Sequence, residues 1–240
     1  MSSNWDEALN VSLIRQYILT TFPDAIYCGI TGSRVVSRHN ALSDVDLVVL
    51  VDQPSRPIHF GAYLEGMRID GTAASLPEWR IKLEADRAQR LCGLARETVQ
   101  AEPIYDKKHL HETLVDTSKE ILLRGPIPYS EEEWLRLRAA LSEVIDDWEY
   151  ATPDERVFIC VIGFFYCYEA ICATQRAWLG VGKWGFRNLA EKSPGDAEEL
   201  IAAVSSSFQE RDNGCFVAYM KNMLSSIGGR PPAEYQTPEK

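Results

Sequence analysis

The chain has 240 residues, 45% of them hydrophobic and 25% charged, with a net charge of −10 and an isoelectric point near 5.0. That length allows one large domain or two ordinary ones, each with a real core. The acidic balance argues against broad nucleic-acid binding, which rests on Lys and Arg neutralising phosphates. It reads either as plain solubility or as a fit to a cationic substrate.

Asn4 followed by Glu7 has capping-box spacing, and apolar residues at helical intervals run on to Ile18. Pro23-Asp24 ends that helix, and "AIYCGI" (25–30) predicts a short strand leading into Gly32-Ser33. The run "VDLVVLV" (45–51) is β-branched and apolar throughout, which predicts a central strand covered on both faces. A third strand is expected within "EGMRIDGTAAS" (65–75), followed by a helix over "LPEWRIKLEADRAQRLCGLARETV" (76–99). A last short strand in "PIYDK" (103–107) and a helix over "LHETLVDTSKEILL" (110–123) complete this half.

The texture then changes. "RGPIPYS" (124–130) is a Gly/Pro-rich break, and Ser130 with Glu133 forms a capping box for a helix to Tyr150. Thr152-Pro153 with Glu155 opens a second helix ending near Gly180, with proline at its first position. Its segment "VFICVIGFFYCY" (157–168) is too short to span a bilayer before Glu169 and reads as a buried helix, so no membrane is expected. Ser193-Pro194 opens a third helix and "FVAYMKNMLSS" (216–226) makes a fourth, with no strand expected past residue 130. The expected fold class is α+β: a small mixed-sheet domain over 1–125, an all-α helical bundle over 126–228, and a disordered tail over 229–240. Cysteines 28, 92, 160, 167, 172 and 215 form no C-x-x-C pair, and without a signal-peptide pattern the expected location is a reducing cytoplasm.

The chemistry concentrates in "GITGSRVVSRHNALSDVDLVVL" (29–50). Alternation along a strand puts Asp44 and Asp46 on one face with Val45 on the other. Two ionised carboxylates so close raise each other's pKa unless a cation lies between them. Oxygen-only ligands on a rigid strand suit Mg²⁺, which keeps several waters and borrows substrate phosphate oxygens; a solvated Asp pair in the turn "NALSD" is the plain alternative. Gly32-Ser33 after a buried strand lets backbone N–H groups and a hydroxyl cradle phosphate.

Taken together, "GSRVVSRHNALSDVDL" resembles the signature of the DNA polymerase β nucleotidyltransferase superfamily, in the small-enzyme branch with the aminoglycoside and lincosamide nucleotidyltransferases. The resemblance covers roughly the first 75 residues; "GVGKWGFRNLAE" (180–191) also resembles a helical-domain segment of related bacterial enzymes. It implies a nucleotidyltransferase domain in which Asp44 and Asp46 hold two Mg²⁺ ions against a nucleoside triphosphate. Asp70, in "RIDGTAA", supplies the third carboxylate, sharing a metal and taking a proton from the acceptor hydroxyl. Gly32 and Ser33 hold the outer phosphates, while Arg34, Arg38 and Lys183 either neutralise them or are surface charges. The implied reaction moves a nucleoside monophosphate, AMP being the expected one, onto a hydroxyl of a small acceptor such as an aminoglycoside. The implied partners are therefore triphosphate and acceptor, in a monomer or homodimer.

Other residues carry two readings each. Glu169 in the most apolar helix either faces an acceptor or pairs with Arg176 or Lys183. Glu143, Asp146, Asp147 and Glu149 crowd a helix C-terminus, unfavourable for the helix dipole, so Asp146 and Asp147 either meet a cationic acceptor or are solvated. Trp148, Trp178 and Trp184 read as core, His39 as a loop residue near the nucleotide, and histidines 59, 109 and 111 show no ligand spacing. Competing functions are an antitoxin-like or protein-modifying adenylyltransferase with a polypeptide partner, and an inactive binding module. No histidine follows His111, so the helical half lacks an Arg-x4–6-His ribonuclease motif.

Overall fold

The computed structural model describes residues 10–35, 43–53, 56–209 and 214–235, and the Asn4–Glu7 pattern lies outside them. The chain divides into two compact units, Met1–Gly125 and Pro126–Lys240.

The first unit opens with α1 (Val11–Thr21), capped by Asn10, whose side chain accepts from the Leu13 N–H at 3.0 Å. Strands β1 (Ala25–Thr31), β2 (Val45–Val51), β3 (Ile58–Leu64), β4 (Met67–Ser75) and β5 (Glu102–Asp106) form one mixed sheet in the order β3-β4-β2-β1-β5. The parallel pair is β2 with β4; the other pairings are antiparallel. Strand β3 is absent from the sequence reading. It is the edge strand, its residues alternate between exposed and half-buried, and so its pattern lacks the apolar run that marks β2. A two-residue turn at Glu65 and Gly66, both at positive φ, joins β3 to β4.

Strand alternation sorts the two faces. Val45, Leu47, Val49, Ile69 and Ala73 pack with Ile14 and Ile18 of α1. The opposite face carries α2 (Leu76–Ala88) and α3 (Gly93–Gln100), with α4 (His111–Arg124) packed beside them. The single helix expected over 76–99 is two, because Arg90 takes a φ of 61° and the chain breaks before Gly93.

The second unit contains α5 (Glu131–Tyr150), α6 (Pro153–Gln175), α7 (Lys183–Lys192), α8 (Pro194–Gln209) and α9 (Gly214–Ser226), with no strand among its described residues. Both expected capping boxes form, Ser130 with Glu133 and Thr152 with Glu155. Helix α6 stops at Gln175 rather than near Gly180, where Arg176 enters the left-handed region at φ 53°. By length and composition α6 could cross a membrane. It is also not the wholly buried helix expected. Cys160, Cys167 and Ile171 enter the core, while Val157, Phe158, Val161, Ile162 and Phe165 form an exposed stripe. Helix α7 is not among the helices expected from the sequence, Gly182 and Gly185 interrupting its pattern; Gly185 lies against the Gly180 carbonyl, where a Cβ has no room.

Candidate active site

Adjacent strands bring the predicted carboxylates into one row. Thr31 at the end of β1 is in register with Asp46 of β2, Asp46 with Asp70 of β4, and Asp70 with Gly61 of β3. Because Asp46 and Asp70 are register partners on neighbouring strands, they project from the same face, about 4.8 Å apart at the backbone. Val45 is fully buried against the α1 side, which turns the half-buried Asp44 and Asp46 to the other side. Asp44 stands just before β2 begins.

Gly32 opens a single 3-10 turn, Gly32–Arg34, directly after the row. Its φ is +81°, and a Cβ there would overlap the Asp46 carboxylate, so that carboxylate lies on the glycine backbone. The buried Thr31 hydroxyl donates to the Glu97 carbonyl at 2.7 Å, which ties the end of β1 to α3. Ser33 is half-buried within the turn. The side chain of Arg34, and Arg38 and His39 altogether, lie outside the described residues.

Asp70 has an arginine and a histidine as neighbours. Arg68 Nη2 lies 3.2 Å from Oδ2, and His59 Nε2 lies 3.4 Å from Oδ1. Both partners are more exposed than Asp70 (Arg68 56% and His59 72% against 21%), and exposed contacts of that kind contribute only about 0–1 kcal/mol. A stronger cation could exchange with them.

A further acidic group went unread in the sequence. Glu97 on α3 has its carboxyl pushed up to about 7, first by burial among protein atoms and then by the negative charges of Asp46, Asp86 and Asp70, with Lys82 opposing. Glu97 nevertheless keeps an exposed surface, so water reaches it from one side while protein crowds the others. Lys82 is bound to Asp86 at 3.0 Å. The α2/α3 face of the sheet is therefore a basin of negative charge around the Asp46–Asp70 pair.

Among the described residues no three His, Cys, Asp or Glu side chains converge as a ready-made metal centre. The donor set still fits Mg²⁺, which is commonly held by one or two carboxylates, waters and substrate phosphates rather than by an all-protein cage. The negative charges of Asp46 and Asp70 also reach Glu97, where they add to the effect of burial on its carboxyl. The two alternative third carboxylates have other places. Asp106 accepts from the Leu110 and His111 N–H groups at 2.8 and 3.0 Å, and Glu65 sits in the β3–β4 turn.

The remaining candidates belong to the second unit. Asp146 accepts two hydrogen bonds from Arg230, at 2.7 and 2.6 Å, which hold its carboxyl below the ordinary range. Glu149 pairs with Lys221 at 3.7 Å. The acidic end of α5 thus finds cations within its own unit. Glu169 accepts from the Tyr129 hydroxyl at 2.9 Å, a partner different from the Arg176 or Lys183 expected. Asp147 and Lys183 are exposed, Lys183 as the first residue of α7. Trp148 and Trp178 are core residues, while Trp184 is 39% exposed under the Arg187 guanidinium.

No family model matches the chain, and no curated protein matches it in sequence. Its fold is similar to a nucleotidyltransferase-like protein from Exiguobacterium sibiricum 255-15, at 12% identity and a TM-score of 0.49, over 90% of this chain and 74% of that one. It is also similar to the spectinomycin adenyltransferase AAD(9) from Enterococcus faecialis, solved with ATP and spectinomycin, at 17% identity and a TM-score of 0.35, over 89% of this chain and 96% of that one.

Proposed function

We propose that the chain is an Mg²⁺-dependent nucleotidyltransferase that moves a nucleoside monophosphate, AMP first among them, from a triphosphate to a hydroxyl of a small acceptor. The observation that carries this reading is the row Thr31–Asp46–Asp70, with the Gly32 turn against Asp46 at one end of the carboxylate pair. A phosphate cradle and two side-by-side carboxylates are what a triphosphate and its counter-ion require. Asp44, Asp46 and Asp70 would hold Mg²⁺, whose contribution is to neutralise charge on the phosphates.

The chain's own residues do the rest. Backbone N–H groups of the Gly32–Arg34 turn and the Ser33 hydroxyl hold the outer phosphates. The acceptor oxygen bonds to the α-phosphorus, and the bond from that phosphorus to the pyrophosphate oxygen breaks, the pair leaving with pyrophosphate. The acceptor proton passes to Asp70, whose bonds to His59 and Arg68 fix the direction of its oxygens. An acidic basin also favours an acceptor carrying amino groups.

Pyrophosphate release from ATP with Mg²⁺ and spectinomycin or another amine-bearing acceptor tests the reading. Asp46→Asn should abolish transfer while the far-ultraviolet circular dichroism stays unchanged. Turnover by that variant at the wild-type rate would refute it.

A further inference from the structure

The two edges of the sheet are finished differently. Edge strand β5 contains Pro103 and carries Glu102 and Asp106, and its pairing with β1 shifts register between Cys28 and Gly29. Proline, charge and an irregular register all keep a sheet edge from pairing further. Strand β3, at the other edge, has none of these. Its sequence IHFGAYL holds no proline and no Lys, Arg, Asp or Glu, and it pairs with β4 in unbroken register. Among the described residues no strand lies on its other side.

A two-residue hairpin turn makes its flanking residues, here Leu64 and Met67, a hydrogen-bonded pair, and the pattern alternates from there. Ile58, Phe60, Ala62 and Leu64 therefore turn their backbone N–H and C=O groups toward β4. His59, Gly61 and Tyr63 turn theirs to the open edge.

The same strand, reversed, matches this edge. About a two-fold axis at Gly61, Ile58 stands opposite Leu64, His59 opposite Tyr63, Phe60 opposite Ala62, and Gly61 opposite itself. The outward groups of His59, Gly61 and Tyr63 then meet across the axis in about six backbone hydrogen bonds. On one face Phe60, Ala62 and Leu64 are the half-buried margin of the core around Ile14, Ile18 and Ile69. A second copy extends that apolar layer where a single chain leaves it half open. On the other face the exposed rings of His59 and Tyr63 lie opposite each other. The axis also brings Arg56, exposed just before β3, toward Glu65, exposed just after β3, of the other copy. Opposite charges thus close both ends of an uncharged strand, in a chain whose net charge of −10 makes copies repel elsewhere.

We propose that the protein is a two-fold dimer joined edge to edge through β3, which makes two five-stranded sheets into one. The two Thr31–Asp46–Asp70–Gly61 rows then run into one another through the Gly61 pair. Tyr63 of the second copy stands beside His59, whose ring nitrogen touches Asp70. The pairing stands whether or not the chain transfers nucleotides.

Sedimentation equilibrium of the full chain across a dilution series should reach twice the 27.1 kDa chain mass. Hydrogen exchange in the dimer should show the Gly61 and Tyr63 amides protected alongside those of Phe60 and Ala62. On dilution to monomer, Gly61 and Tyr63 should lose that protection while Phe60 and Ala62 keep it. Tyr63→Lys alters a side chain that is 75% exposed in the single chain, so far-ultraviolet circular dichroism should not change. It should raise the dimer dissociation constant about tenfold or more. Arg56→Glu should also weaken the dimer, and adding Glu65→Arg should restore it. Within one chain these two residues lie at opposite ends of β3, roughly 30 Å apart, so the rescue reads a contact between copies. A monomer at every concentration overturns the proposal. So does a dimer whose Gly61 and Tyr63 amides exchange freely, since its contact lies on another face. Protection of those amides in a monomer means that the edge is already covered, which also overturns it. A double variant no tighter than Arg56→Glu alone overturns the Gly61-centred register.

Discussion

Replacing Glu97 by glutamine removes one charge from the basin and keeps the side chain's shape. The folded protein holds the Glu97 proton up to about pH 7, whereas the unfolded chain releases it near 4.5. Between those values the folded state binds more protons, so stability falls as pH rises, and the loss is complete above the folded value. The full shift corresponds to about 3 kcal/mol, and solvent reaching the exposed side of Glu97 reduces this to about 1–2 kcal/mol. Glu97→Gln should therefore be more stable than wild type by that amount at pH 8 and nearly equal to it at pH 4. Amide exchange in β2 and β4 reads the opening of this unit alone, which avoids assuming that both units unfold together. Mg²⁺ should shrink the difference at pH 8, because a cation between Asp46 and Asp70 relieves the repulsion that Glu97 feels. An equal gap between variant and wild type at both pH values would refute the charge basin.

Other perturbations separate backbone geometry from charge. Gly32→Ala should cost about 1–2 kcal/mol through its left-handed φ, and should lose nucleotide transfer as the new Cβ displaces the Asp46 carboxylate; thermal melting and pyrophosphate release read the two effects. Asp70→Asn should lower kcat far more than triphosphate affinity if proton removal is its main part, and a fall mainly in affinity would assign it to the metal alone. Ser130→Ala, which breaks the capping box of α5, should destabilise the second unit by about 1 kcal/mol and leave transfer rates unchanged, as measured by denaturant midpoints and initial rates.

How much of this was legible in the sequence depended on the range of the interactions involved. Asp44, Asp46 and the Gly32-Ser33 turn are local: an apolar strand, a glycine at a tight backbone approach and carboxylates at period two are visible within 22 residues. Asp70 came only through the family resemblance, since its place beside Asp46 depends on the pairing of two strands 24 residues apart, which no local pattern carries. The capping boxes of α5 and α6 came through for the same reason, each being decided by four residues. Strand β3 did not, since an edge strand gains its order from pairing with β4 rather than from its own pattern.

Glu97 marks where local reading stops. Within "LARETVQ" it is an ordinary helical glutamate between an arginine and a threonine. Its character comes from three acids on other elements: Asp46 of β2, Asp70 of β4 and Asp86 of α2. Those acids face it only because Asp46 and Asp70 are in register across β2 and β4 and α2 and α3 return across the same face of the sheet.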